Sequence, residues 1–182
     1  VDKSHVLQNL DAPSLYEVPL MLEEENLAKA VCECLKIPCP EPDLADWKQM
    51  VDNLHHPLHK VTVALVGKYV ALHDAYLSVV EAFKAAGGAH KTKVNINWID
   101  SETIKKSNVA KVMNGMNGII IPGGFGQRGV DGMIIAAEYA RVNNIPYLGI
   151  CFGMQISIIE FARNVLGLKD ADSAEFNINT KK

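Results

Sequence analysis

A chain of 182 residues, 48% hydrophobic and 21% charged, suits one domain plus an extension, and a domain of ~150 residues buries roughly 70% of its unfolded surface. A net charge of −3 without a basic patch argues against nucleic acid, and no apolar run approaches the ~20 residues of a membrane span. Four cysteines make no disulfide framework in a chain this long, and Val1-Asp2-Lys3-Ser4-His5 has no signal-peptide character, so a reducing cytoplasm is expected.

Residues 1–60 read as a helical linker. The pattern predicts one helix from Leu20 to Leu35, with Glu23, Glu24 and Glu25 near its start, and an extended stretch at Pro38, Pro40 and Pro42. Leu44, Trp47, Met50, Val51 and Leu54 recur at helical spacing, and His55-His56-Pro57 ends that helix. The region has too few strands for a domain of its own and reads as the tail of something upstream. Cys32, Cys34 and Cys39, with His55, His56 and His59, do not match the usual paired zinc-ligand spacing, so no metal site is expected.

From Val61 strands and helices alternate. Strands are expected at 61–66, 94–98, 118–121 and 146–150, and helices at 75–86, 109–116, 130–143 and 153–166. Gly87-Gly88 reads as a helix stop. Four β-α units with continuous apolar strands imply an α/β fold: an open, mostly parallel sheet with helices on both faces. Ligands bind such sheets at the carboxyl ends of strands, where two Gly-rich segments, 123–126 and 149–153, both fall.

The second segment, Gly149-Ile150-Cys151-Phe152-Gly153, is a cysteine nucleophile elbow by pattern: strand, sharp turn, helix. The turn strains the nucleophile's backbone, and the flanking glycines remove side chains that would collide around it. A helix N-terminus favours the reactive thiolate. Acyl transfer also needs oxyanion donors. The Phe152 N–H is one, and Pro122-Gly123-Gly124-Phe125-Gly126 offers another, at Gly124. A base is needed as well. Of six histidines only His73 follows a strand on the correct edge, and a solvated loop histidine is the simpler reading of it. A small thiol hydrolase using His73 stays open at this point. Gly67-Lys68 lacks the upstream glycine of a P-loop, position 62 being Thr62, so Lys68 reads as an interface or ligand-edging residue.

Pro122 through Gly129, Gly149 through Gln155, Asn164-Val165-Leu166-Gly167, Val66-Gly67-Lys68-Tyr69 and Ser173-Ala174-Glu175-Phe176 together resemble the glutaminase domain of the CTP synthase family, within the class I glutamine amidotransferases. The resemblance covers essentially the whole chain. It implies a flavodoxin-like glutaminase domain over 61–182, preceded at 1–60 by the end of a synthetase domain and a linker.

The same resemblance implies the roles. Cys151 forms a glutamyl thioester, and Gly124 and Phe152 hold the oxyanion. Gly124, Phe152, Gly153, Met154, Gln155 and Glu175 bind L-glutamine, with Glu175 on its amino group. Phe125 and Arg128 belong to a loop facing the interdomain region where GTP activates. ATP and Mg2+ serve the synthetase domain, which aminates UTP to CTP, and the whole enzyme is a homotetramer. No cofactor is expected in this stretch itself. Phe152 stands where the family more usually has leucine. The family's His-x-Glu pair and a glutamine-binding arginine lie downstream of Glu175, beyond Lys182. These 182 residues alone are therefore expected to be an inactive piece with an exposed apolar surface. The alternative is a truncated, non-catalytic module used for binding or assembly.

Overall fold

The computed structural model describes residues 2–175 and 177. Three helices open the chain: α1 (Val18–Glu24), α2 (Leu27–Leu35) and α3 (Ala45–His55). The single helix expected over 20–35 is two. Pro19 starts α1 in its first turn, so Glu23 and Glu24 fall in its last turn, where the helix dipole disfavours negative charge. The chain then breaks at Asn26, with φ +62°, a left-handed conformation that asparagine tolerates.

Four strands follow: β1 (His59–Gly67), β2 (Thr92–Asp100), β3 (Gly118–Ile121) and β4 (Tyr147–Gly149). They form one sheet in the order β2-β1-β3-β4, every pair parallel. Residues alternate between its faces, as strand geometry requires. Ala64, Val66, Ile119 and Ile121 point to a core shared with α5 (Val109–Val112), α6 (Val130–Val142) and α7 (Phe152–Asn164). Leu65 and Ile120 point the other way, toward Tyr76 and toward Val79 and Phe83 of α4 (Leu77–Ala89). Helices thus lie on both faces, as the sequence pattern implies.

α4 does not stop at Gly87-Gly88. Both glycines are buried inside it, and the chain reverses at Lys91, with φ +49°. Gly87 is required by close approach, since a Cβ there would lie 2.5 Å from the Thr92 carbonyl oxygen, whereas one at Gly88 would press on the Leu54 side chain of α3 at 3.2 Å. The N-terminal helices dock here. Asn53 donates to the Gly88 carbonyl at 3.0 Å, Tyr16 Oη to Glu81 at 2.6 Å, and Trp47 Nε1 to the Tyr16 carbonyl at 2.7 Å. Near the β4 edge the surface is apolar, with Leu148, Ile158, Phe161 and Leu166 all exposed.

One buried ion pair clamps α6 to α7. The Glu160 carboxylate, 2% exposed, accepts from Arg141 Nε and Nη2 and from Asn164 Nδ2, at 2.7–3.1 Å. Burial pushes the Glu160 pKa up, but the hydrogen bonds from Arg141 and Asn164 outweigh it and hold the group below its ordinary value. A depressed carboxylate stabilises the fold above its unfolded-state pKa and loses that contribution as pH falls through its folded-state value. Removing one partner strands the other in the interior. Arg141→Met is therefore expected to cost about 2–3 kcal/mol near neutral pH, less than for a fully buried pair because Arg141 reaches solvent. Thermal unfolding checks this: Tm should drop by roughly 5–10 °C, and the gap to wild type should narrow in acid.

Candidate active site

The strand order places a switch point between β1 and β3, where successive connections leave in opposite directions and ligands bind at the carboxyl edge. Three segments meet at this edge: Lys68-Tyr69 after β1, Pro122 to Gly126 after β3, and Ile150 to Phe152 after β4.

The third segment is a strained turn. The Ile150 N–H donates to the Ile121 carbonyl at 3.0 Å, and the Gly153 N–H returns to the Ile150 carbonyl at 2.9 Å. Between them Cys151 takes φ +51°, ψ −100°, a region that a residue with a Cβ adopts only under external constraint. The constraint is visible. A Cβ at Gly149 would lie 2.4 Å from the Gly153 carbonyl group, and one at Gly153 would lie 2.0 Å from the Ile121 carbonyl oxygen. The two glycines let β4 and α7 pass close enough to force the turn. Tyr147 Oη braces it by donating to the Gly153 carbonyl at 2.7 Å, and burial raises the pKa of that phenol. Cys151 is exposed at the head of α7, while the Phe152 ring is fully buried.

The loop after β3 lies alongside. A Cβ at Gly123 would meet nothing within 4 Å, and one at Gly124 would meet only the Lys68 stem and the Phe152 ring, at 3.7–4.0 Å. Neither glycine is demanded by packing, and neither has a positive φ, unlike Gly126 and Gly129. The Gly124 N–H makes no hydrogen bond among the described residues. A main chain left bare beside an exposed thiol has room for a ligand.

The remaining sequence-predicted residues cluster here too. Gln155 Oε1 accepts from Ser173 Oγ at 2.5 Å, and Ser173 Oγ accepts the Glu175 N–H at 3.1 Å. Ser173 therefore ties Glu175 to the first turn of α7. Met154 is half exposed, and the Phe125 ring is open to solvent. Arg128 pairs with Glu102, donates to the Lys68 carbonyl at 2.7 Å and lies 5.5 Å from the Tyr69 ring centroid. Phe176 lies outside the described residues.

The histidines do not converge on the thiol. His73 stacks on Trp98 of β2, ring centroids 4.2 Å apart. β2 and β4 are opposite edges of the sheet, about 14 Å apart at three strand spacings. That removes the geometric support for a His73-assisted hydrolase. His59 begins β1 and His90 precedes β2, both at the amino edge of the sheet. His55 bonds Glu17 and His56 bonds Asp52. His5 lies 3.8 Å from Cys34. Among the described residues no group of three or more His, Cys, Asp or Glu side chains is placed to hold a metal ion, and no helix is long and apolar enough to cross a membrane.

Sequence reasoning missed two contributors. Ser173 is quoted in the Ser173-Ala174-Glu175 run without a role, and no local signal gives it one. Lys68 reads as an edging residue, yet it is buried. A lysine directly after an apolar strand is the one hint.

Residues 71–182 match the family model described as glutamine amidotransferase class-I. The chain is 55% identical to the CTP synthase of Carboxydothermus hydrogenoformans, over 97% of this chain and 33% of that protein. It is 52% identical to that of Methanocaldococcus jannaschii, over 100% and 35%, and 49% identical to that of Bacillus subtilis, over 100% and 34%. It thus spans about a third of the length of these relatives. Among solved structures it resembles the glutaminase domain of Trypanosoma brucei CTPS with bound acivicin. The TM-score there is 0.62 at 44% identity, covering 66% of this chain and 47% of that one. An α/β parallel sheet of the glutaminase type, a strained cysteine turn at its carboxyl edge and the match over 71–182 lead to one conclusion: the chain belongs to the glutamine amidotransferase class-I family.

Proposed function

We propose that these residues are the glutamine-hydrolysing part of a CTP synthase. The observation that carries the reading is the strained, exposed Cys151 beside the uncrowded Gly124 main chain. The Cys151 sulfur attacks the side-chain amide carbon of L-glutamine, and the carbonyl π electrons move onto oxygen. The N–H groups of Gly124 and Phe152 hold that oxyanion. The C–N bond then breaks, ammonia leaves with an added proton, and a glutamyl thioester remains. Water hydrolyses the thioester to glutamate and restores the thiol.

Gly153, Met154 and Gln155 line the glutamine site, and the Glu175 carboxylate takes the substrate ammonium. The family moves these protons with a His-x-Glu pair, and the same role is assigned to such a pair in the full gene product. The ammonia serves a synthetase domain that activates UTP with ATP and Mg2+ in a cytoplasmic homotetramer. ATP and Mg2+ serve that other domain, and no step of glutamine hydrolysis is routed through them. The exposed Phe125 ring and Arg128 form the face on which GTP acts.

Glu175→Gln in the full gene product tests the substrate assignment. Losing a charge-assisted contact made equally in ground and transition states raises KM for glutamine, by about 10-fold or more, with kcat little changed. An unchanged KM contradicts it. The second reading, a non-catalytic binding module, is favoured by the lack of any histidine hydrogen-bonded to Cys151 among the described residues. It predicts no glutamine-dependent ammonia release from the full gene product.

A further inference from the structure

Lys68 is the side chain that the hydrolysis scheme leaves unused. It is 4% exposed, which is uncommon for a lysine. Its Nζ donates to the Phe125 carbonyl at 2.9 Å and to the Gly126 carbonyl. Its hydrogen-bond acceptors among the described residues are main-chain carbonyls, not a carboxylate. The ammonium also lies 4.1 Å from the centroid of the Phe152 ring, within cation–π range. The Lys68 stem runs under Gly124, 3.7 Å from where a Cβ would stand. Its own backbone is fixed in turn: the Lys68 N–H donates to Tyr76 Oη at 3.2 Å, and the Lys68 carbonyl accepts from Arg128 at 2.7 Å.

One side chain therefore touches both segments that carry the oxyanion donors, the Gly124 loop and the Phe152 elbow. Burying an ammonium without a hydrogen-bonded carboxylate is costly: burial lowers the Lys68 pKa and Arg128 lowers it further, while the charge of Glu175 offsets part of this. A methionine would fill the same channel without that penalty. What methionine lacks is an N–H fork that grips two successive carbonyls of a glycine-rich loop, whose backbone otherwise has wide freedom.

We infer that Lys68 is the positioning residue of the oxyanion site, setting the spacing between the Gly124 and Phe152 N–H groups by clamping the 124–126 loop over the Phe152 ring. The inference rests on the glutamine-hydrolysis reading above. A displacement of about 1 Å in a reacting group can cost on the order of 100-fold in rate. Loss of the clamp should therefore act chiefly on kcat, with a smaller change in KM because Glu175, which takes the substrate ammonium, lies within electrostatic reach of Lys68.

The test is made in the full gene product, with Lys68→Met and Lys68→Arg beside Cys151→Ala. For Lys68→Met, kcat for glutamine hydrolysis is expected to fall about 10- to 100-fold, with KM within about 3-fold. Alkylation of Cys151 by iodoacetamide should proceed within about 3-fold of the wild-type rate, because displacement of iodide at a saturated carbon uses no oxyanion donor. Lys68→Arg keeps a cationic donor and should retain more kcat than Lys68→Met. If the methionine variant does not fold, the arginine variant carries the test: a reduced kcat with unchanged alkylation supports the clamp. Full kcat in a folded Lys68→Met variant overturns it, as does full kcat in Lys68→Arg where that variant alone folds. So does a raised KM at full kcat, which would make Lys68 a substrate contact, or a parallel loss of alkylation, which would mean that Lys68 acts on the thiol. Hydrolysis that survives Cys151→Ala would instead overturn the reading on which the inference stands.

Discussion

Cys151→Ala is expected to abolish glutamine-dependent ammonia release, by roughly 10^4-fold or more, because it removes the nucleophile that forms the acyl intermediate. The side chain is exposed and the main chain already carries the strain, so the substitution should barely move Tm. In the full gene product, CTP formation driven by added ammonium chloride should survive. Parallel assays with glutamine and with ammonium check this. Selective loss supports a nucleophile confined to glutamine hydrolysis, whereas equal loss of both activities in a folded variant contradicts it.

Gly153→Ala should destabilise the fold strongly. Its Cβ would sit 2.0 Å from the Ile121 carbonyl oxygen and 2.8 Å from the carbonyl carbon. These are backbone atoms of a central strand, so neither partner can swing aside. α7 must move off β3 and open the turn that presents Cys151. A cost above about 4 kcal/mol is expected, lowering Tm by about 10 °C or more. Gly123→Ala is the matched control. Nothing lies within 4 Å of its Cβ, so its Tm should stay within about 2 °C of wild type. A Gly153→Ala variant as stable as Gly123→Ala would mean that β3 and α7 are not held at the described separation.

Features carried by neighbouring residues were legible in the sequence. The run Gly118–Ile121 is bounded as the apolar pattern predicts, and the need for glycine at 149 and 153 follows from the strand-turn-helix pattern alone. Features that depend on distant residues were not. Gly87 reads as a helix stop until Thr92 is seen across from it. The break at Asn26 is masked by an apolar spacing that runs through it, and only the acidic cluster and Pro19 explain it. His73 occupies a plausible loop, but its ring is committed to Trp98. Lys68 reads only as an interface or ligand-edging residue because its acceptors, the carbonyls of Phe125 and Gly126, lie more than fifty residues away. Of the three glycines after Pro122, Gly126 serves the turn, with φ +71°, whereas Gly123 and Gly124 read as room for a ligand. The absence of crowding at Gly123 and Gly124 is consistent with that reading.

The most direct test is to treat the full gene product with acivicin, the compound in the related Trypanosoma brucei structure, and to map the adduct by peptide mass spectrometry with and without glutamine. One adduct is expected, on Cys151, forming more slowly when glutamine is present, with Cys32, Cys34 and Cys39 unmodified. No adduct on Cys151, or one whose rate ignores glutamine, would contradict the assignment of Cys151 as the glutamine nucleophile.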